Sequence, residues 1–203
     1  MFRFPYRNLA ALAVALAGVL QALDVGAASP LPAAATDVPA ASVKGPQTAV
    51  FAGGCFWGVE AVYRHVKGVT KAVSGYAGGN AKSADYQMVS TGMTGHAESV
   101  EVTYDPAQVS YGELLRIFFS VAHDPTQLNR QGPDYGTQYR SAIFFHSPEQ
   151  EQSARESKEK LKNSRQFPRP VVTQIVPAVN FYEAEDYHQQ YLEKRGLASC
   201  HIK

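Results

Sequence analysis

The chain is short of several things. It holds two cysteines, one tryptophan and three methionines in 203 residues, and its 19 Lys and Arg against 18 Asp and Glu leave a formal charge of +1. A near-neutral balance without acidic or basic blocks gives no electrostatic ground for nucleic acid or an anionic membrane surface as partner. The six histidines show no His-x-x-x-His spacing and the cysteines no Cys-x-x-Cys, so a metal site is not expected. Internal repeats are absent. The longest apolar stretch, Leu9 to Leu23, is broken by Gly18 and Gln21 and falls short of the roughly 20 residues a spanning helix needs.

That stretch reads instead as an export signal. Arg3 and Arg7 precede it, no acid occurs in the first 23 residues, and Gly26-Ala27-Ala28 offers small residues for cleavage. Residues 1–28 are therefore expected to be a signal peptide, with the periplasm as destination and no stable membrane insertion after cleavage. An organellar transit peptide stays open, as does a cytoplasmic protein if the segment is not an export signal. No cysteine follows the run, so a lipid anchor has no attachment site. Residues 29–46, rich in Ala and Pro, read as a disordered linker. One folded domain, 47–203, remains, with ample apolar residues for a core.

The most informative stretch is Thr48 to Gly58, TAVFAGGCFWG. Val50 and Phe51 read as a buried strand, and Gly53-Gly54 permit a sharp turn. Val59, Val62, Tyr63 and Val66 then recur at helical spacing. Cys55 is thus placed at the start of a helix, where unpaired N–H groups and the helix dipole favour an anion and lower a thiol pKa. A thiolate beside Phe56 and Trp57 is a nucleophile next to an apolar surface; a buried core cysteine after a glycine turn is the plainer alternative.

Further along, Gly68 is expected to stop the first helix, Val69 to Tyr76 to form a strand, and Ala77 to Gly95 a long loop containing Tyr86. Ala97 to Tyr104 alternates, with Val100, Val102 and Tyr104 on one face and Ser99, Glu101 and Thr103 on the other. Glu98 shares the parity of the valines. Burial there would raise its pKa and keep it protonated, as a proton donor requires; a solvated rim position is the alternative. His96 reads as a solvated turn residue. Ser110 to Glu113 is a capping box opening a helix with Leu114, Leu115, Ile117, Phe118 and Val121 on its apolar face. Asn129 to Gly136 is turn-rich and contains Asp134, and Tyr139 opens a strand over 139–146. Ser147-Pro148 starts a polar helix to about Asn163, Val171 to Val176 makes another strand, and Ala184 to Arg195 a last helix ended by Gly196. The order implies an α+β fold, a sandwich of a mixed sheet with packed helices.

GCFWG, GHAESVEVTYDP (95–106), YGTQYRSAIF (135–144) and AEDYHQQYL (184–192) together resemble, in order, the blocks of the A-type peptide methionine sulfoxide reductases. The resemblance covers roughly 47–200 and implies a ferredoxin-like core with long loops and a mobile C-terminal tail. It implies that Cys55 attacks the sulfoxide sulfur, Glu98 supplies the proton, and Cys200 resolves the resulting sulfenic acid as a disulfide, the two-cysteine type. Phe56 and Trp57 would hold the substrate methyl, with Tyr86, Tyr139 and Asp134 near its oxygen. No metal or organic cofactor would be needed. The substrates would be the S epimer of methionine sulfoxide, free or in oxidised proteins, the reductant thioredoxin-like and the enzyme a monomer. Two other classes stay open. A cysteine-dependent hydrolase or acyl-transferase would use Cys55 without Cys200, and a secreted binding module would use both in a permanent disulfide.

Overall fold

A computed structural model describes residues 45–197; the expected signal peptide, nearly all of the expected linker and Cys200 lie outside the described residues. Six strands form one sheet, in the order β7-β6-β1-β3-β2-β8. These are β1 (Gln47–Gly53), β2 (Val69–Ala77), β3 (Ala97–Tyr104), β6 (Ser141–Phe145), β7 (Gln174–Pro177) and β8 (Phe181–Glu183), with β4 (Arg130–Gln131) and β5 (Asp134–Tyr135) as a separate hairpin. All sheet neighbours run antiparallel except β6 and β7, which makes the sheet mixed, as expected.

Period-2 alternation decides what each face carries. On β1, Ala49 and Phe51 enter the larger core with Val100, Val102 and Tyr104 of β3; Val50 and Ala52 enter a smaller cluster with Ala97, Ala142 and Phe144 on the opposite side. The larger core takes Phe56, Val59 and Tyr63 of α1 (Phe56–Arg64), Leu114 and Leu115 of α3 (Tyr111–Ile117), and Ala154 and Leu161 of α4 (Pro148–Ser164). Phe51 stacks on Tyr63 and Phe118, each at 5.1 Å. Glu98 belongs by parity to this helix-covered face.

Local signals placed several elements correctly. Ser110 Oγ accepts the Glu113 N–H at 3.1 Å and Ser147 Oγ the Gln150 N–H at 3.3 Å, with Pro148 in the first turn of α4. Elsewhere the chain departs from expectation. Helix α1 ends at Arg64, so Val66 lies beyond it and Gly68 does not terminate it. The 77–95 segment contains a 3-10 turn, Ala81–Ser83, and a short helix α2, Tyr86–Ser90, capped by Asp85; Tyr86 is helical. Val121 is 43% exposed, because α3 passes at Phe118 into a π-helical turn that rotates it outward. Tyr139 ends a 3-10 turn, Thr137–Tyr139, and the strand starts two residues later. The strand expected over 171–176 instead spans Gln174–Pro177. The single helix expected over 184–195 is broken into a 3-10 turn, Asp186–His188, and α5, Tyr191–Lys194, with Gln190 left-handed between them.

Candidate active site

Cys55 is the N-cap residue of α1, as its sequence setting suggested. Strand β1 delivers the chain to Gly54, whose φ of 95° only glycine adopts readily; a Cβ there would also strike Gln131 of the β4–β5 hairpin. The turn aims the first amide of α1 at one carboxyl. Phe56 N–H donates to Glu98 Oε2 at 3.0 Å, and Glu98 is 2% exposed. The buried alternative for Glu98 is therefore the correct one, and the start of β3 meets the start of α1 through it. Cys55 is the only cysteine among the described residues and is partly buried.

Two phenols face the same place. Burial raises the Tyr86 hydroxyl above its usual range, and proximity to Glu98 and Cys55 adds to the effect. Burial likewise pushes Tyr139 up, followed by Glu98, Asp134, Tyr86 and Cys55. Tyr139 is thus within electrostatic reach of Cys55, Glu98, Tyr86 and Asp134, and Tyr86 of Cys55 and Glu98, although these residues are spread from position 55 to position 139. Both phenols stay protonated through the neutral range and can therefore donate to an acceptor there.

An aromatic wall adjoins the cysteine. Phe56 is fully buried, and Trp57 stacks on Tyr191 of α5 with centroids 3.7 Å apart. The Trp57 indole N–H donates to His188 Nδ1 at 3.1 Å, which fixes the indole in its plane. His188 is 2% exposed and packs on Phe56 at 5.2 Å and Tyr86 at 4.3 Å. Burial lowers its pKa, with Glu185 pulling the other way, and an acceptor role at Nδ1 requires the neutral ring. Glu185 receives the Tyr76 hydroxyl at 2.8 Å and the Tyr86 N–H at 3.0 Å, so it pins the start of α2 to β2.

Neither His188 nor Glu185 carried a signal of its own in the sequence. Both fall within AEDYHQQYL, whose periodicity suggested helix, and their partners lie 99 to 131 positions away. His96 corrects the opposite error. It is 1% exposed, takes the Gly79 N–H at Nδ1 and faces Asn80 O through Nε2, because the glycines before it fold the loop back over its ring. Among the described residues no three His, Cys, Asp or Glu side chains converge in a way that could hold a metal ion. No described helix is long and apolar enough to cross a membrane.

This arrangement suits attack by sulfur on a small polar group whose departing oxygen needs hydrogen-bond donors and a proton. Comparison with known proteins agrees. A family model described as peptide methionine sulfoxide reductase matches residues 47–203. The peptide methionine sulfoxide reductase MsrA of Geobacter metallireducens is 60% identical over 154 residues, 76% of this chain and 94% of that protein. The solved methionine sulfoxide reductase A of Corynebacterium diphtheriae superposes with a TM-score of 0.69 at 40% identity, over 84% of each chain. Yeast Mxr1, solved in complex with Trx2, gives a TM-score of 0.51 at 28% identity over 72% of this chain and 84% of that one. The likeness runs through the whole folded part and not through the cysteine turn alone, and on that basis the chain belongs to the peptide methionine sulfoxide reductase family.

Proposed function

We propose that Cys55 is the nucleophile by which this enzyme reduces the S epimer of methionine sulfoxide, and that Glu98 is its proton donor. The enzyme reduces methionine sulfoxide and so repairs oxidised protein. The observation that carries the residue assignment is the shared corner of the fold: the helix opening at Cys55 donates its first amide to the buried Glu98. Tyr86 and Tyr139 polarise the S=O bond, Asp134 flanks Tyr139, and Phe56 with Trp57 holds the methyl group by apolar contact. The Cys55 thiolate bonds to the oxidised sulfur as Glu98 gives its proton to the oxygen; the hydroxyl then passes from the methionine sulfur to the Cys55 sulfur as the S–S bond breaks, and methionine leaves with that bond's electron pair. Cys55 is then a sulfenic acid. The Cys200 thiol condenses with it, forming the disulfide and releasing water. A thioredoxin-type dithiol restores both thiols by exchange, in line with the Mxr1–Trx2 complex. The same reading makes residues 1–28 a cleaved export signal, 29–46 a linker and the periplasm the site of action.

Cys55→Ser should abolish methionine release from either a free or a peptide-borne sulfoxide, since serine is neither ionised nor comparably nucleophilic at neutral pH. Each epimer is supplied separately with dithiothreitol and methionine is quantified. Turnover in the variant rejects Cys55, and equal rates on both epimers reject the stereochemical part.

A further inference from the structure

The three oxygen-bearing groups assigned to the sulfoxide oxygen reach the site from two separate stretches. Tyr86 opens α2 and Glu98 lies near the start of β3, so residues 90–96 connect them. Tyr139 ends a 3-10 turn more than forty positions later. The residues around Tyr139 hold the connecting stretch by its carbonyls. Thr137 Oγ1 donates to Gly92 O at 2.7 Å, and Gln138 Nε2 to Ser90 O at 3.0 Å. Arg140 reaches Gly95 O at 2.9 Å and His96 O at 3.1 Å. These carbonyls sit at a helix end and in a loop, where side chains must supply the donors that a helix or sheet would otherwise provide.

The surrounding chain is cut away to admit these side chains. A Cβ on Gly92, at φ 75°, would come within 2.9 Å of Gln138 Oε1, and one on Gly136, at φ 136°, closer still. A Cβ on Gly78 would lie 2.7 Å from an Arg140 nitrogen. Gln138 is 4% exposed, yet its Oε1 is buried with no hydrogen-bond partner. An apolar filler would avoid that cost, so the amide is kept for what its N–H₂ end does.

We infer that Thr137, Gln138 and Arg140 form a clip that fixes the separation between the Tyr139 hydroxyl and the Tyr86–Glu98 pair, and that they are positioning residues for the attack step. This rests on the proposed role of those hydroxyls. The proposed reaction assigns none of the three a contact with the reacting atoms; their hydrogen bonds run to backbone carbonyls. They act because two donors converging on one oxygen are effective only at a set distance, and small misplacement of a donor costs rate steeply.

The test uses the full chain carrying Thr137→Val or Gln138→Met, each alone and combined with Tyr139→Phe or Tyr86→Phe. Single-turnover methionine release is followed against sulfoxide concentration, with thermal unfolding of every variant. Each clip variant should slow the saturated rate by about 10-fold while apparent affinity changes by less than about 2-fold, and Thr137→Ser should restore most of the rate. Removing the Tyr139 hydroxyl should then cost under about 3-fold in a clip variant, against roughly 10-fold or more in the parent. Losses that simply multiply would overturn the clip and reduce these residues to packing. Should Gln138→Met fail to fold, Thr137→Val, on an exposed residue, carries the same comparison. If Tyr86→Phe and Tyr139→Phe both run at the parent rate, the hydroxyl assignment is wrong and the clip falls with it.

Discussion

The amide of Phe56 orients Glu98 against the very helix that begins at Cys55, so the proposed nucleophile and the proposed proton donor are held at one corner of the fold. Glu98→Gln keeps an acceptor for that amide and should therefore keep the fold. It removes only the proton. Single-turnover reduction should slow by about 10²–10⁴-fold at pH 8, the usual scale for a lost general acid, and less at low pH where solvent protons substitute. A rate equal to the parent at pH 8 would show that the carboxyl merely caps the helix. At this scale much was legible. Glycine, cysteine and aromatics at a strand-to-helix junction marked Cys55, and strand parity placed Glu98 on the covered face. His188 and Gln138 were not, because their work is done on Trp57 and Ser90, partners that no local pattern connects to them.

Elements bounded by their own residues were read well, and those bounded by distant contacts were not. Alternation defined β3, and Ser147 with Pro148 defined the start of α4. The stretch 184–195 has helical composition, but Glu60 takes the Gln190 N–H on both carboxylate oxygens at 3.0 Å, and the Gln189 side chain donates to Ser74 O and Ala184 O. Those bonds outweigh helix propensity and hold Gln190 at φ 56°. Arg165 is a second left-handed residue, at φ 55° where α4 ends, but it is exposed. Glycine relieves the steric cost of that conformation at some cost in chain entropy, so Arg165→Gly should stabilise by about 0.5–1 kcal/mol. Thermal unfolding checks this; an unchanged or lower Tm means that the Arg165 side chain makes a favourable contact outweighing the strain.

Stability of the whole domain should depend on a histidine outside the reaction. Burial holds the His123 pKa at about 4, against an ordinary 6.5; the Phe118 carbonyl and Asp124 pull it back only partly. Nδ1–H donates to Phe118 O at 3.0 Å, and Nε2 then accepts from Ser141 Oγ at 2.6 Å. Below about pH 6.5 the unfolded chain binds a proton that the folded chain refuses, so this group's contribution falls with pH until about pH 4, by about 3 kcal/mol in all. Above 6.5 it contributes no slope. Urea unfolding at pH 7.5 and 4.5 should show the loss, and His123→Gln should flatten the profile even though it starts lower. Parallel profiles for parent and variant would assign the acid sensitivity to other groups.

The fold also docks α5 on the helix that begins at Cys55. On α1, Trp57 stacks on Tyr191, Glu60 accepts the Gln190 N–H, and Arg64 pairs with Glu193 at 3.0 Å. These three lie along one helix face, so α5 is docked on the same helix whose first turn carries Cys55. Cys200 follows Leu197 by three residues in the sequence and lies outside the described residues. Cys200→Ser should leave the first half-reaction intact: one methionine per enzyme, in a burst, because in the proposed reaction attack on sulfur uses the Cys55 thiol and not that of Cys200. The enzyme should then stall with one added oxygen on Cys55. A small thiol should rescue turnover by attacking that sulfenic acid directly, whereas thioredoxin should support it poorly without a protein disulfide to exchange. Quenched-flow methionine release, paired with mass spectrometry of Cys55 after one turnover, reads both points. Full thioredoxin-driven turnover in this variant would remove Cys200 from the reaction, and an absent burst would mean that the tail is needed for the attack itself.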